Sequence, residues 1–401
     1  LVAPHDVCGK AVAPRVAALM QAGMVAGAIA YPTYDNGFEV TCVSSKSPEL
    51  FAVGFREGVN VKAINMTRKI SPFLDFISFL RMFRLILEIR PDIVHSHTPK
   101  AGIVSMLAAK LAGVPVRLHT VAGLPLMESN GGIRLLLKVV EFVTYLCCTK
   151  VLPNSFGLQD FIIKEGLVAR DKTKVLGNGS SNGIDTEFYS ISSISSVTIG
   201  LIKDNLGICE SDFVFVFVGR LVKDKGINEL VDAFLIVRKS INSCAMNNLK
   251  LLLVGPFEKE LDPLSEQTLR RIKENNSIIL TGYVSDVRPY FAISDCLVFP
   301  SYREGFPNVV LQAGAMGLPA IVSDINGCNE IITDGLNGFV ISPKDVNALV
   351  LAMKRMSFEY KLKIELGLTA RSMVKERYEQ NVLWSLQKAE YINNLMSTKR
   401  N

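Results

Sequence analysis

The sequence contains no Cys-x-x-Cys pair, no cysteine or histidine at metal-ligand spacing, and no Asp-x-Asp. Those absences argue against a zinc site and a carboxylate-held metal, so no metal and no cofactor is expected. No run of 18 uncharged apolar residues occurs, which excludes a membrane-spanning helix. No signal peptide is legible. The Gly-x4-Gly-Lys-Ser/Thr pattern of a Walker loop is absent. Basic residues are not interleaved with aromatics, so no nucleic-acid partner is expected. Tryptophan occurs once and histidine four times. Eight cysteines without a pairing pattern read as buried, reduced thiols of a cytoplasmic protein, with Cys147 and Cys148 inside a helical stretch. The first residue is Leu rather than Met, and residues 1–35 are atypical of the remaining chain. Ala13 to Ala30 predicts a loosely packed helix.

The 401 residues are 49% apolar and 20% charged, an ordinary globular composition with chain enough for two cores. Net charge is +6 and unevenly spread. Residues 1–190 carry 20 Lys/Arg against 15 Asp/Glu; residues 191–401 carry 24 against 23. That bias suits an anionic partner or a membrane face, and simple solvation explains it equally well.

From Asn36 the pattern becomes regular. Strands are predicted at Phe38–Ser44, Val59–Ile64, Asp92–Ser96, Val116–His119, Lys150–Pro153 and Lys174–Leu176. Helices between them are predicted at Ile70–Ile89, Ile103–Ala112 and Ile133–Cys148. The second half alternates in the same way, with strands at Phe213–Val218, Lys250–Val254, Ile278–Thr281, Cys296–Phe299 and Pro319–Ser323. Its helices are Asn228–Lys239, Pro307–Met316, Ala348–Tyr378 and Asn381–Met396. Strand–helix alternation predicts an α/β fold with two Rossmann-like parallel sheets. The domains are predicted as 1–190, 191–380 and a terminal helix 381–401 on the first domain. Ser190–Ser196 reads as an exposed linker. The helix Ile70–Ile89 has one narrow polar stripe (Asp75, Ser78, Arg81, Arg84, Glu88), so it is either deeply buried or a membrane surface, with burial favoured.

Candidate chemistry falls at strand ends, where open α/β sheets bind ligands. His95, His97 and His119 lie at the ends of two predicted strands; a structural hydrogen-bonding role is the plain alternative. Gly177 to Asp185, with Asn182, is too glycine-rich for a regular element. Arg220 and Lys225 lie between the strand Phe213–Val218 and the next helix. A guanidinium fork and an ammonium there suit a diphosphate, against the alternative of a basic surface turn. Glu304, Gly305 and Phe306 occupy another strand-to-helix turn, where a helix N-terminus favours an anion. A carboxylate in that place fits a ligand carrying both phosphate and neutral hydroxyls, such as a phosphorylated sugar. Asp324 and Asn326 lie at a comparable edge, where ordinary capping explains Asp324 as well.

Three motifs together, Gly219-Arg220 with Lys225-Gly226, Glu304-Gly305-Phe306-Pro307-Asn308, and Asn182-Gly183-Ile184-Asp185, resemble the retaining glycosyltransferases of family 4. The resemblance runs from about Asn36 to the end, and most nearly to bacterial capsular and O-antigen polysaccharide transferases that act on undecaprenyl-diphosphate-linked sugars. It implies the GT-B fold: two Rossmann-like domains facing across a cleft, with a terminal helix crossing back. It implies a hexose or N-acetylhexosamine donated by a UDP-sugar to a lipid-linked glycan in surface polysaccharide synthesis. It places the protein in the cytoplasm, peripheral on the inner face of the plasma membrane.

Carried over residue by residue, the resemblance gives Arg220 and Lys225 the donor diphosphate and Glu304 the donor hydroxyls. His119 faces the sugar beside the reacting carbon. Gly219, Gly282, Tyr283, Gly305, Phe306, Pro307, Asn308 and Gln312 complete the donor side, and His97, Lys100 and Asn182 shape the acceptor side. Two departures stand out. The family's signature is a Glu followed eight positions on by a second Glu that accepts from ribose, and this chain has Glu304 but Gln312. The family also opens with an apolar central strand that residues 1–35 do not show, with Val2–His5 a candidate substitute. Both departures favour, as alternatives, an impaired enzyme or a non-catalytic nucleotide-sugar-binding protein. A sugar-nucleotide epimerase fits less well, for want of a second well-placed carboxylate.

Overall fold

The computed structural model describes residues 26–32, 38–66, 71–127, 129–241, 248–258 and 262–398. The expectations for Val2–His5 and for residues 13–25 lie outside these residues. The chain divides into two compact units, Leu1–Gly183 with Gln380–Asn401, and Ile184–Glu379.

The sheet of the first unit contains β1 (Ala26–Pro32), β2 (Phe38–Ser44), β3 (Asn60–Ala63), β4 (Ile93–Ser96), β5 (Val116–Val121) and β6 (Lys150–Pro153). Their order is β3-β2-β1-β4-β5-β6, the doubly wound arrangement. All neighbouring pairs are parallel except those of β1, which runs antiparallel to both β2 and β4. The helix predicted over Ala13–Ala30 is thus corrected at its C-terminal end, since Ala26–Ala30 are extended. Without β1, two facing rows of backbone groups in mid-sheet would be unpaired. Pairing on both sides outweighs the helix propensity of alanine. The strand predicted at Lys174–Leu176 does not form: the one bridge beside it joins Thr173 to Val151, and the chain then turns away at Gly177, which has φ 57°.

Among the described residues up to Gly183, the helices of this unit are α1 (Pro48–Glu57), α2 (Pro72–Ile89), α3 (Pro99–Leu111), α4 (Gly131–Cys147) and α5 (Phe156–Lys164). Ser47 and Ser155 cap α1 and α5 by accepting from Leu50 N–H and Leu158 N–H. α3 packs between α2 and α4. Burial of α2 is only partial. Ser78, assigned to its polar stripe, is buried and donates to Asn65 O and Leu74 O, while Phe73, Leu74, Phe76, Leu80 and Leu87 are exposed.

The second unit contains α6 (Ser196–Leu206), β7 (Phe213–Val218), α7 (Ile227–Ile241), β8 (Leu249–Val254), α8 (Glu266–Glu274), β9 (Ile278–Gly282), α9 (Arg288–Ala292) and β10 (Cys296–Phe299). It continues with α10 (Asn308–Ala315), β11 (Ala320–Ser323), α11 (Cys328–Ile331), β12 (Gly338–Ile341), α12 (Val346–Phe358) and α13 (Tyr360–Tyr378). The order β12-β11-β10-β7-β8-β9 is parallel throughout. Phe215, Phe217, Leu251, Leu253, Val298 and Ile321 line one face and Val216, Leu252, Leu297 and Val322 the other, so both faces are apolar, as a parallel sheet requires.

The single helix predicted over Ala348–Tyr378 breaks at Glu359 (φ −96°, ψ 76°), because α12 packs on α7 while α13 packs on α10. The predicted linker Ser190–Ser196 is largely exposed, and the residues just before it, 184–189, form a tied strap. Arg371 donates to Thr186 O and Tyr189 O at 3.3 and 3.2 Å, and the Arg288 guanidinium lies 3.5 Å from the centre of the Phe188 ring. α14 (Gln380–Thr398) closes the chain within the first unit, with Trp384 and Tyr391 buried. Of the cysteines described, all six are free, and all but Cys209 are buried.

Candidate active site

In a doubly wound sheet the strand order reverses at one point, and ligands bind outside the C-terminal strand ends there. In the second unit this point lies between β7 and β10, so the loops 219–226 and 300–307 form the candidate site. The first loop is hemmed in so closely that glycine is required at two points in or beside it. Gly226 has φ 70°, and a Cβ there would lie 2.1 Å from Pro300 O. Gly255, after β8, has φ 143° and would place a Cβ 1.9 Å from Gly219 O. No other residue lets these loops approach so closely. Tyr302 N–H donates to Asp224 O at 2.8 Å, stitching the two loops together.

That approach brings Lys225 onto Glu304. Lys225 Nζ donates to Glu304 Oε1 in an ion pair whose side chains are 15% and 17% exposed. The carboxylate that looked misplaced beside an anion site is therefore balanced by a cation. Arg220, half exposed, pairs with Glu258, a partner for which the sequence carried no signal. The turn Glu304–Pro307 is held from behind. Asn326 Nδ2 donates to Gly305 O at 2.7 Å, and a Cβ on Gly327 would lie 2.6 Å from the same oxygen. Pro307 and Asn308 then open α10 without a side-chain cap, while Val310 N–H donates to Pro307 O at 3.1 Å.

Gln312 lies on α10 and donates from Nε2 to Tyr189 OH at 2.8 Å. That bond orients the amide and leaves its carbonyl oxygen as an acceptor. Tyr189 was missed because it falls between the glycine-rich stretch ending at Asp185 and the predicted linker Ser190–Ser196, where no motif marks it. Burial, followed by Asp286, pushes its phenol above the usual range, so it stays protonated. Gly282 ends β9 with φ 70° and is bridged to Gly255, so the ends of β7, β8 and β9 adjoin. Tyr283 beside it is 79% exposed.

The described histidines of the first unit, His95, His97 and His119, gather at the C-terminal sheet edge and are buried. His95 joins Tyr391 OH through Nδ1 at 2.7 Å and Thr120 Oγ1 through Nε2 at 2.8 Å, which ties α14 to the sheet. Ser96 Oγ and His119 Nδ1 share a hydrogen bond of 2.7 Å, leaving Nε2 as the ring nitrogen able to meet a ligand. The first turn of α3 packs on His119, and a Cβ on Gly102 would lie 2.7 Å from its Cε1. His97 stacks on His95 at 4.1 Å between ring centres, and neither of its nitrogens has a hydrogen-bond partner among the described residues. Burial drives His97 down to about 4; burial, with His97 adding to it, drives His119 to about 3. All three rings are thus neutral near pH 7. Lys100 pairs with Asp75 at 2.8 Å, and Asn182 N–H donates to Ser180 Oγ. No group of three His, Cys, Asp or Glu converges among the described residues.

Comparison with known proteins defines the class. Among solved structures, Anabaena Alr3699/HepE in complex with UDP aligns over 86% of this chain and 88% of its own, with a TM-score of 0.69 at 20% identity. A glycosyltransferase from Rickettsia africae ESF-5 aligns over 88% and 89% with a TM-score of 0.72 at 19% identity. The fold is that of a GT-B protein. Residues 212–357 match the family described as "Glycosyl transferases group 1", and residues 32–155 match "Glycosyl transferase 4-like". The capsular polysaccharide biosynthesis glycosyltransferase CapM of Staphylococcus aureus is 33% identical over 324 residues, 80% of this chain and 82% of CapM. A UDP-Gal:alpha-D-GlcNAc-diphosphoundecaprenol alpha-1,3-galactosyltransferase of Escherichia coli is 30% identical over 302 residues, 75% of each chain. This chain belongs to that family and is a glycosyltransferase.

Proposed function

We propose that this enzyme moves a hexose or N-acetylhexosamine from a UDP-sugar to a lipid-linked glycan in surface polysaccharide synthesis, with retention of anomeric configuration. The observation that carries the reading is the Lys225–Glu304 pair at the switch point, beside Gly219-Arg220 and the N-terminus of α10. Phosphate and sugar hydroxyl thus find opposite charges side by side. Arg220 and Lys225 stabilise the charge that develops on the leaving UDP, the largest contribution to the rate. Glu304 takes donor hydroxyls, and Gln312 offers its carbonyl to the ribose. His119 orients the sugar through Nε2. The acceptor hydroxyl attacks on the leaving-group side, with a phosphate oxygen as base. Two cations in place of an Asp-x-Asp motif support a reaction without a metal: activity should survive EDTA, and a loss that Mg²⁺ or Mn²⁺ restores would refute this part.

The acceptor class is supported by the Escherichia coli relative, whose name specifies a sugar on diphosphoundecaprenol. A cytoplasmic location on the membrane surface is supported by exposed apolar side chains on α2 and by Ile133, Leu135, Leu136, Val139, Phe142 and Leu146 on α4, with Arg81 and Arg84 nearby. No described helix is long and apolar enough to cross a membrane. The test is transfer from a panel of UDP-sugars to polyprenyl-diphosphate-linked acceptors, with the new linkage read by NMR. An α-linked product from an α-linked donor is expected; a β-linked product, or conversion of UDP-sugar with no acceptor consumed, would overturn the reading.

A further inference from the structure

The geometry points to Glu258 as a positioning residue for Arg220: its carboxylate holds one side of the guanidinium so that the other side meets the donor diphosphate. The inference rests on the donor-site reading above and adds a residue that no motif marks.

Glu258 is placed by the backbone on either side of it. Gly219 N–H donates to Val254 O and Leu221 N–H to Pro256 O, both at 2.9 Å, and Leu221 is bridged to Phe257. Beyond Glu258 the chain is fastened to the same loop. Lys223 N–H donates to Asp262 O at 3.2 Å, and Asp224 N–H to Asp262 Oδ2 at 2.6 Å. Gly255, where a Cβ would lie 1.9 Å from Gly219 O, allows this approach. The loop after β8 therefore runs along the loop that carries Arg220, and Glu258 stands at a fixed place beside it.

The contact itself is directional. Arg220 Nη1 donates to Glu258 Oε2, while Nε and Nη2 make no hydrogen bond among the described residues. The N–H groups of Nε and Nη2 lie on one side of the guanidinium and form a fork for two oxygens of a phosphate. Glu258 thus occupies the nitrogen that this fork does not use. Lys225 is already paired with Glu304, so Arg220 is the cation of the site with a whole fork to offer. The Arg220 side chain is 54% exposed, and an arginine that open would otherwise sample many rotamers. A carboxylate on one side removes part of that freedom before the ligand arrives, which lowers the ordering cost of binding.

Simple repulsion predicts the reverse. A carboxylate near a diphosphate should weaken the anion, and its removal should tighten binding. Water screens that repulsion at an open site, whereas the orientation of Arg220 is a matter of geometry and is not screened. The two effects have opposite signs, so one titration separates them.

The experiment is calorimetric titration of the full chain with UDP, with circular dichroism on every sample. The chains are the parent, Glu258→Ala, Glu258→Gln, Arg220→Ala and the double variant Arg220→Ala/Glu258→Ala. Glu258→Ala should weaken UDP about fivefold. Glu258→Gln keeps a carbonyl acceptor for Nη1 and should stay within about twofold of the parent. Added to Arg220→Ala, Glu258→Ala should change the Kd by less than about twofold, because no guanidinium is left to orient. Tighter binding by Glu258→Ala would make the carboxylate a competitor of the phosphate and overturn the proposal. So would an unchanged Kd, a Gln variant as weak as the Ala variant, or a further loss in the double variant. A Glu258→Ala chain that circular dichroism shows unfolded would make the residue structural and also overturn it. If Arg220→Ala itself leaves the Kd for UDP unchanged, the donor-site reading beneath the proposal falls instead.

Discussion

Glu304 brings a carboxylate to a turn where a helix N-terminus and two basic side chains gather, and Lys225 meets it with an ion pair. Each residue of the pair has two tasks, one for the fold and one for the ligand. Lys225→Met should therefore cost about 1–3 kcal/mol of stability by leaving Glu304 unpaired, and lower kcat about 10²-fold by removing a donor to the leaving diphosphate. Thermal denaturation and initial rates separate the two. At Gln312 the amide already donates to Tyr189 OH. A carboxylate there can accept from the same hydroxyl, so Gln312→Glu should keep the bond and lower KM for the UDP-sugar by up to about tenfold through the ribose. An unchanged KM would remove Gln312 from the donor site.

The histidines supply a pH dependence confined to one unit. Their sequence positions are 5, 95, 97 and 119, so the second unit has none. His97 and His119 are held down to about 4 and about 3, chiefly by burial. The unfolded chain binds protons at these sites below about pH 6.5, while the folded chain does not. The histidines' contribution to stability is thus complete above that pH and falls as pH drops, by about 1.4 kcal/mol per pH unit for each until its folded value is reached. One buried carboxyl, Glu141, which burial raises to about 7, gives an opposite slope. Trp384, buried in α14 of the same unit, reports the transition. Its emission midpoint in urea should fall between pH 6.5 and 4.5, and a flat profile would contradict the burial argument.

At the level of elements, the two loops that hold Lys225 and Glu304 meet through glycines. Gly226→Ala would force a Cβ onto Pro300 O at positive φ, so a loss of about 2–4 kcal/mol is expected by chemical denaturation. The same contact explains what the sequence made legible. Lys225-Gly226 and Glu304-Gly305-Phe306 come after strongly apolar strands, so their placement at strand ends could be read directly. Their mutual contact could not, because it depends on the pairing of β7 with β10 across many residues of chain. Glu258, Tyr189 and Ser96 were illegible for a similar reason: each matters only as the partner of a residue distant in sequence. β1 was misread because alanine and glycine carry little period-2 signal, and its conformation is fixed by β2 and β4. The exposed face of α4 repeats at residues 135, 139, 142 and 146, a helical stripe that sequence alone assigns equally to a core.

Across the whole molecule, the two units divide the labour. The second carries the residues proposed for the nucleotide, and the first carries the histidine edge and the exposed apolar helices. The membrane reading belongs at this scale. Sedimentation with anionic liposomes at low salt is expected for the parent chain and should be lost, with folding retained, in a Phe73→Ser/Phe76→Ser/Leu135→Ser variant. Sedimentation equal to the parent's would place the contact elsewhere. The central claim, that Arg220 and Lys225 form a diphosphate site at the switch point of the second unit, is tested most directly by calorimetric titration of the full chain with UDP beside Arg220→Ala. Micromolar binding by the parent, weakened at least about tenfold in the variant, is the predicted result. Equal binding by both, or none by a parent chain whose circular dichroism shows it folded, would contradict it.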